Sequence, residues 1–301
     1  MAGCSPGFEG RISMTLAEFR LTYPAAAFTV SSGKPFVYRY YKNSQAKATL
    51  VLLTGGIGLS DLFYKHFASF AQDFSVLTFD YQIPFADNGE FADAVAELLR
   101  HLGERVWLVG QSLGGVVAQV IATRHPEVVE GLVLSNTCSL SGSMSEEGYR
   151  DLMQMVESQR KFKKWLSILP FSFIKGMMRR AVLKMKTDNF TAAEKVAMKE
   201  ICDAMLELLT KPYEAHMIDF LCDAEHYFGL TQDDFAPWKG RVLLILSEDD
   251  ITFTPACKQD LIDLMPSPTV VTHLTGGHLA LMVRLEQYAD LVTGFIKARM
   301  E

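Results

Sequence analysis

Short apolar runs recur along the chain, and stretches of mixed apolar and polar residues separate most of them. Within a run almost every position is apolar, which is typical of strands buried on both faces of a parallel sheet. Between the early runs, apolar residues recur three and four positions apart, which indicates amphipathic helices. This alternation predicts a doubly wound, mostly parallel sheet of the α/β class. The runs are TLVLLTGG, FSVLTFD, RVWLVG, GLVLSN, RVLLILS and TVVTHLTGG, and the helical stretches are LFYKHFASFAQ, FADAVAELLRHL and GGVVAQVIATRHP.

The beginning of the chain does not share this alternation. Residues 1–13 carry no periodic pattern, so we expect a flexible leader before the patterned chain begins at Met14. The stretch AFTVSSGKPFVYRYYK then alternates in part around a Ser-Gly pair, which predicts a β-hairpin at an edge of the sheet.

One long interval interrupts the strand–helix rhythm. Residues 139–238 have helical spacing throughout and include nine of the fourteen methionines. We expect a helical cap here, inserted into a core formed by residues 14–138 and 239–301. A cap at the carboxyl ends of the strands lies over the place where such sheets bind ligands. Methionine-rich helices suit an adaptable apolar pocket, although methionines in a helical core would give the same composition.

Composition limits the function classes. A net charge of −6 argues against a general affinity for nucleic acid. The start has no signal-peptide pattern, and no apolar segment is long enough to span a membrane. Scattered cysteines without metal-ligand spacing suit a reducing compartment, and no phosphate-binding or dinucleotide motif is present. We therefore expect a cytoplasmic protein with neither metal nor cofactor; its cysteines are Cys4, Cys138, Cys202, Cys222 and Cys257.

The stretch LVGQSLGGVVAQ places Ser112 between a strand-like run and a helix-like run. The spacing Gly110-x-Ser112-x-Gly114 fits a sharp strand-to-helix turn, in which side chains two positions from the serine would clash. Such a turn lifts the hydroxyl clear of the sheet and sets it beside the N–H groups of the helix amino terminus. Ser112 is therefore the candidate nucleophile, and a packing turn with an incidental serine is the alternative.

A serine hydroxyl needs a base, and the base needs an acid that orients it. His278 follows the last strand-like run in a Gly-Gly loop and is the predicted base. His273 lies within that run, where a packing role fits better, and we expect the other histidines on helices, mostly at the surface. The stretch RVLLILSEDD brings Glu248, Asp249 and Asp250 into one loop. We prefer Asp250 as the acid, because it lies three residues after the small residue that ends the strand, and keep Asp249 as the alternative.

Acyl transfer also needs N–H donors for the negatively charged oxygen of its intermediate. The backbone N–H of Leu113, directly after the predicted nucleophile, is one candidate. The second is expected in the loop TGGIG after the first central strand, from Gly56 or, as the alternative, from Ile57.

These motifs resemble those of the capped α/β hydrolases. LLTGGIG, GQSLGG, SEDD and GGH stand in the chain order of that fold, nucleophile before acid before histidine, and the similarity covers about residues 45–138 and 236–298. The resemblance implies a serine hydrolase, since serine at the turn separates the chain from the dehalogenases and epoxide hydrolases that use an aspartate nucleophile.

Two features depart from the common pattern of that fold. Thr54-Gly55 stands where many members carry His-Gly, and DYQIPFADNGEFADAVAELLRHL occupies the place of an Arg-Gly-x-Gly-x-Ser segment. That stretch, together with GQSLGGVVAQ and LVLSNT, is similar to the maspardin-like branch, whose members are regarded partly as binding proteins. A non-enzymatic adaptor is therefore the alternative to an enzyme.

The sequence as a whole favours hydrolysis of a carboxylic ester or a related acyl bond through an acyl-enzyme on Ser112. We expect a small-molecule acyl or ester substrate and no nucleic-acid partner. The same kind of triad serves carbon–carbon bond hydrolases, perhydrolases and aminopeptidases, so these activities stay open as alternatives.

A basic segment within the expected cap indicates a further contact. Residues 160–186 contain nine basic residues and no acidic one, interleaved with aromatic and aliphatic side chains. Such a segment fits a peripheral contact with an anionic membrane surface or with acidic ligand head groups. The alternative, which we favour at this point, is a solvated helix face whose charges are balanced by acids elsewhere in the cap.

Overall fold

The structure is a computed structural model that describes residues 14–183 and 190–300. The expected leader at residues 1–13 and the last part of the basic segment, residues 184–186, lie outside the described residues. Eight strands form one sheet. They are β1 (Ala26–Thr29), β2 (Pro35–Tyr41), β3 (Thr49–Leu53), β4 (Ser75–Thr78), β5 (Val106–Gln111), β6 (Val129–Ser135), β7 (Val242–Ile245) and β8 (Thr269–Val271).

The strand order confirms the predicted doubly wound sheet. From edge to edge the strands lie in the order β1, β2, β4, β3, β5, β6, β7, β8. β2 pairs antiparallel with β1 and with β4, and each of the other neighbouring pairs is parallel. The carboxyl ends of the parallel strands therefore meet at one edge, where the loops that carry the candidate residues begin.

Helices cover both faces of the sheet, as burial of parallel strands requires. None of the helices in residues 14–183 and 190–300 is long and apolar enough to cross a membrane. One face carries α1 (Leu16–Thr22), α2 (Tyr64–Phe70), α10 (Ala280–Val283) and α11 (Leu285–Lys297), and the other carries α3 (Asn88–Leu102), α4 (Leu113–Arg124) and α9 (Pro255–Leu264).

Alternate residues of each central strand supply two separate cores. In β3, Leu50 and Leu52 belong to the core beneath α2 and α11, whereas Val51 and Leu53 belong to the core beneath α3 and α4. All positions of β3, β4, β5 and β7 are buried, which is why apolar residues predominate in their runs. Each buried aliphatic side chain contributes about 1.5–3 kcal/mol, so these strands form a rigid base for the loops at their ends.

The last apolar run, TVVTHLTGG, does not form the buried strand that its pattern predicts. β8 has three residues, lies at the edge of the sheet and is mostly exposed. His273 follows the strand and is exposed too, so the expected packing role of His273 is wrong. An edge strand has a partner on one side only, and apolar composition alone does not distinguish it from a central strand.

β1 and β2 form the expected edge hairpin. In their loop the N–H of Val30 donates to Lys34 O at 3.0 Å, and the N–H of Gly33 donates to Val30 O at 2.8 Å. Gly33 has a φ of 81°, in the left-handed region that glycine adopts without strain. The Ser-Gly pair marks this turn in the sequence for that reason.

Within the described residues, four α-helices lie between β6 and β7 and form the predicted helical insertion. Because they leave from the carboxyl end of β6, they lie at the ligand-binding edge of the sheet. The domain boundaries at residues 138 and 239 stay a prediction. The four are α5 (Glu146–Ile168), α6 (Phe171–Leu183), α7 (Ala192–Leu208) and α8 (Lys211–Asp223).

α8 attaches this insertion to the core. His216 Nε2 lies 3.1 Å from Tyr81 O, and Asn88 Nδ2 donates to Phe220 O at 2.8 Å. Both core partners follow β4, so the helix is held over the loops at the carboxyl edge of the sheet.

Candidate active site

Ser112 occupies the sharp turn between β5 and α4. Its φ of 53° and ψ of −120° are strained for a residue with a side chain. A Cβ on Gly110 would lie 2.3 Å from Gly114 O, and a Cβ on Gly114 would lie 2.2 Å from Leu53 O. The two glycines are therefore required for the strand and the helix to meet at this turn.

Two neighbours hold the strained backbone of Ser112. Its N–H donates to Ser135 O at 3.0 Å, and its carbonyl accepts from Thr137 Oγ1 at 2.6 Å. Both partners are buried, at the end of β6 and just beyond it. The surrounding structure thus maintains a conformation that the isolated turn would not keep.

His278 and Asp250 form a hydrogen-bonded pair in the loops that follow β8 and β7. Nδ1 of the histidine lies 3.0 Å from Oδ2 of the aspartate, whose side chain is fully buried. The second carboxylate oxygen accepts the N–H of Thr252 at 2.7 Å, and the ring of Phe253 packs against the imidazole with 5.6 Å between ring centroids. A carboxylate on Nδ1 favours the tautomer that carries its proton there and leaves Nε2 as an acceptor.

Asp249 contacts the backbone of the histidine loop instead of the imidazole. Its Oδ2 accepts the N–H of Gly276 at 2.9 Å, and its Oδ1 accepts the N–H of Gly277 at 3.0 Å. Both glycines have positive φ, 132° and 63°, which residues with side chains rarely adopt. Asp249 therefore shapes the loop that carries His278, while Asp250 holds the ring.

Asn136 joins three loops of the site, a role that the sequence does not predict. Its Nδ2 donates to Ser247 Oγ at 3.1 Å and to Gly277 O at 3.0 Å, and its Oδ1 accepts the N–H of Ser247 at 2.8 Å. The residue is buried and has a φ of 40°, which asparagine tolerates better than most residues. Its position at the end of the run GLVLSN is the one signal for it in the sequence.

The second ring nitrogen of His278 faces the serine turn through Gln111. Nε2 of the ring lies 3.4 Å from Gln111 Nε2, and the same amide nitrogen donates to His278 O at 3.2 Å. Gln111 directly precedes Ser112, so the imidazole lies beside the turn. Ser112 Oγ makes no hydrogen bond within the described part of the chain.

The backbone N–H groups of Leu113, Gly56 and Ile57 have no acceptor among the described residues. Leu113 is the first residue of α4, a position whose N–H has no partner within the helix. Gly56 and Ile57 lie in the turn after β3. A Cβ on Gly55 would lie 3.4 Å from Ser112 Cβ, so this turn passes directly beside the serine. Free donors from two elements therefore surround the candidate nucleophile.

α8 covers the turn after β3. Tyr213 Oη donates to Gly58 O at 2.7 Å, and Met217 Sδ lies 2.5 Å from the place a Cβ on Gly58 would occupy. Leu221 Cδ1 lies 3.8 Å from the corresponding place on Gly56. The insertion therefore puts apolar side chains next to the free N–H groups.

Glu214, on the same helix, is a buried carboxyl with an unpaired oxygen. It is 7% exposed, and its Oε2 has no hydrogen-bond partner among the described residues. Burial raises the pKa of Glu214 from the ordinary value of 4.5 to about 7. Between these two values the folded state binds more protons than the unfolded chain. Stability therefore falls as the pH rises through this window and stays reduced above it.

We predict that Glu214→Gln raises Tm by several degrees near pH 8 and leaves it unchanged near pH 4, since it removes a charge penalty of about 3 kcal/mol. Thermal unfolding at the two pH values measures this. Glu207→Gln, on an exposed position of α7, is the matched control and is expected to change neither Tm. An equal gain at both pH values would show that charge is not the cause.

His66 departs from the expectation that the remaining histidines lie mostly at the surface. It is buried on the inner face of α2, and its Nε2 lies 3.1 Å from Leu281 O. Burial lowers the pKa of His66 to about 4, so its ring is neutral near physiological pH. It packs in the core on the opposite face of the sheet from α3 and α4 and is a structural residue.

A family model described as alpha/beta hydrolase fold matches residues 48–285. The chain belongs to the α/β hydrolase fold family. The match spans the serine turn, the acidic loop, His278 and the whole helical insertion, so the resemblance inferred from the motifs is confirmed. The prediction of an α/β-hydrolase enzyme is confirmed at this level of class.

Individual proteins similar to this α/β hydrolase carry several hydrolase names. A relative from Serratia proteamaculans, named carbamate hydrolase RutD, is 23% identical over 269 residues, which are 85% of this chain and 93% of that protein. A solved thermophilic esterase from Thermogutta terrifontis has a TM-score of 0.67 at 17% identity, covering 91% of this chain and 98% of the esterase. The enol-lactonase from Burkholderia xenovorans LB400 has a TM-score of 0.67 at 17% identity, covering 90% and 100%. At these identities the two structures establish the fold alone.

Proposed function

We propose that this α/β hydrolase cleaves a carboxylic ester or a related acyl bond through an acyl-enzyme on Ser112. His278 is the proposed base, and Asp250 is the proposed acid that orients it. The observation that carries the proposal is the Asp250–His278 hydrogen bond, with the second imidazole nitrogen in contact with Gln111, the residue next to Ser112. Binding alone needs neither a strained serine nor a carboxylate on an imidazole, which favours an enzyme over the maspardin-like adaptor.

In the proposed reaction, Ser112 Oγ attacks the carbonyl carbon of the substrate while its proton passes to His278 Nε2. The tetrahedral intermediate then collapses: the leaving group takes that proton, and the acyl group stays on the serine. Water attacks the acyl carbon with His278 again as base, and the carboxylic acid is released. The long contact of 3.4 Å between Gln111 Nε2 and His278 Nε2 gives way when the ring accepts the serine proton.

The oxyanion of the intermediate is proposed to accept hydrogen bonds from Leu113 and Gly56, with Ile57 as the alternative second donor. Each such donor is worth about 3 kcal/mol in the transition state. Since glycine lacks a Cβ, the substrate oxygen can come close to the backbone at Gly56.

Carbamates and lactones are acyl bonds of the proposed kind, since each is cleaved at a carbonyl carbon. The name of the Serratia relative supports including carbamates beside simple esters. Met217 and Leu221 next to the free N–H groups support an apolar acyl portion. A panel of substrates separates this activity from the other activities of the same triad. Vinylogous diketones test carbon–carbon bond hydrolysis, peracid formation from hydrogen peroxide tests perhydrolysis, and aminoacyl arylamides test aminopeptidase activity.

Labelling with a fluorophosphonate probe followed by intact-mass measurement tests the proposal. We expect one adduct on the wild type and none on Ser112→Ala, because the probe reacts with an activated serine. Ser44→Ala, at an exposed loop position, is the matched control and is expected to keep the adduct. Adduct formation on Ser112→Ala, or none on the folded wild type, would overturn the assignment of the nucleophile.

We also propose a cytoplasmic location. Cys138, Cys202, Cys222 and Cys257 are all free thiols. Free cysteines at this density are typical of a reducing compartment.

A further inference from the structure

The hairpin of α5 and α6 exposes apolar side chains on its outward side. On α5 these lie at i and i+3, next to lysines of the same face, and on α6 at i and i+4. The short connection at Leu169 and Pro170 joins the two helices. We name this surface the outer hairpin face. Its apolar residues are Trp165 (57% exposed), Ile168 (75%), Phe173 (57%) and Met177 (44%), and its cations are Lys161, Lys164 and Arg180.

The exposure of this face follows from the way the hairpin packs. Leu166 of α5 and Ile174 of α6 are buried together against Ile218 of α8, and this small cluster holds both helices in register. The apolar residues of the outer hairpin face lie on other sides of the same helices and do not pack into this cluster. Pairs of large exposed apolar side chains one helical turn apart, with charged residues beside them, are typical of an interaction surface.

Three cations of the hairpin pair with acids. Arg160 pairs with Glu225, Lys163 with Asp219 on α8, and Arg179 with Asp203 on α7 at 2.9 Å. These three are balanced by acids within the insertion.

The cations of the outer hairpin face behave differently. Lys161, Lys164 and Arg180 have no ion pair in the described part of the chain. They flank the exposed apolar residues, so unbalanced positive charge and apolar surface coincide. The chain as a whole carries a net charge of −6, so this local excess of positive charge is opposite in sign to the charge of the whole protein.

We infer that the outer hairpin face docks on an anionic lipid bilayer. A tryptophan and a phenylalanine insert at the level of the head groups, where amphipathic aromatic rings are stable, and the lysines contact lipid phosphates. A second copy of the chain fits less well, because a two-fold contact would set the same cations against one another. The inference concerns this surface and is independent of the reaction at Ser112.

Vesicle binding measured by tryptophan fluorescence tests the inference on the full chain. Of the three tryptophans, Trp107 and Trp238 are buried, so a change on binding reports Trp165. Vesicles of phosphatidylcholine alone are compared with vesicles containing about one third phosphatidylglycerol. We expect a blue shift of the emission and co-sedimentation with the anionic vesicles, and neither with the neutral ones.

Two pairs of lysine substitutions test the contribution of the cations. Lys161→Glu with Lys164→Glu is expected to lower partitioning at least about tenfold. The matched control reverses two other exposed lysines, Lys47 and Lys239, which precede the amino ends of β3 and β7 at the opposite edge of the sheet. This control is expected to bind like the wild type.

The apolar part is tested with Phe173→Ser, which keeps Trp165 as the reporter and removes an exposed ring whose loss does not open a core. We expect weaker binding and a smaller blue shift, with Tm unchanged. Equal binding to neutral vesicles, or equal loss in the Lys47 and Lys239 control, would overturn the inference. So would a concentration-dependent dimer that Phe173→Ser dissociates, because the face would then be an interface between copies.

Discussion

Replacing Ser112 by alanine is expected to lower kcat at least about a thousandfold. Members of a nucleophile–base–acid set act as a unit, and the rate that survives comes from substrate binding and the oxyanion donors alone. The hydroxyl makes no hydrogen bond within the described residues, so its removal should leave Tm unchanged. Steady-state hydrolysis of a p-nitrophenyl ester, together with thermal unfolding of both proteins, measures the two effects.

The Ser44→Ala protein serves as the control for this experiment too, and its kcat is expected to match the wild type. A loss of only a few fold in Ser112→Ala, with the fold intact, would place the nucleophile elsewhere. The fluorophosphonate adduct and the kinetic loss are expected to agree, since both depend on the same activated oxygen.

The serine turn can be recognised in the sequence because its geometry restricts residue types. Gly110 and Gly114 stand where any Cβ would meet a backbone oxygen at van der Waals overlap, so the close approach of strand and helix appears directly as a spacing of glycines. The central strands are recognisable for a related reason: burial on both faces excludes polar residues from nearly every position of β3, β5 and β7. In both cases a local structural constraint restricts the residue types, so it can be recognised in the sequence.

Other features depend on contacts between distant loops and leave no such trace. Gln111 reaches His278 across 167 positions, and Asn136 reaches Gly277 across 141. No spacing of residues in the sequence predicts either of these contacts. The burial of His66 is of the same kind, because it depends on α11 and its neighbours packing against α2.

Asp249 and Asp250 combine both situations: the motif predicts that an acid lies in this loop, but not which of the two contacts His278. They are adjacent residues of the same type in one motif, so the sequence hardly distinguishes them. The path of the loop brings one to the backbone of Gly276 and the other to the ring of His278. This difference leads to opposite expectations for two substitutions of the same kind.

Asp250→Asn is expected to lower kcat about ten-thousandfold. The new amide donates to His278 Nδ1 instead of accepting from it, which stabilises the tautomer with its proton on Nε2. That tautomer cannot take the proton of Ser112, and the imidazolium loses its counter-charge. Asp249→Asn removes a charge-assisted hydrogen bond to the Gly276 amide but leaves the imidazole partner in place. We expect this variant to lower Tm and to change kcat less than about tenfold.

The two variants are measured side by side, each with and without Ser112→Ala. If Asp250 acts through His278 on the serine, Asp250→Asn is expected to cost nothing further once Ser112 is alanine, because the unit has already been broken. The Tm loss of Asp249→Asn is expected to persist in that background, because it arises from the shape of the Gly276–Gly277 loop and not from the reaction. A collapse of kcat in Asp249→Asn with Asp250→Asn near normal would reverse the assignment of the acid, and it would mean that the loop rearranges before Ser112 attacks the substrate.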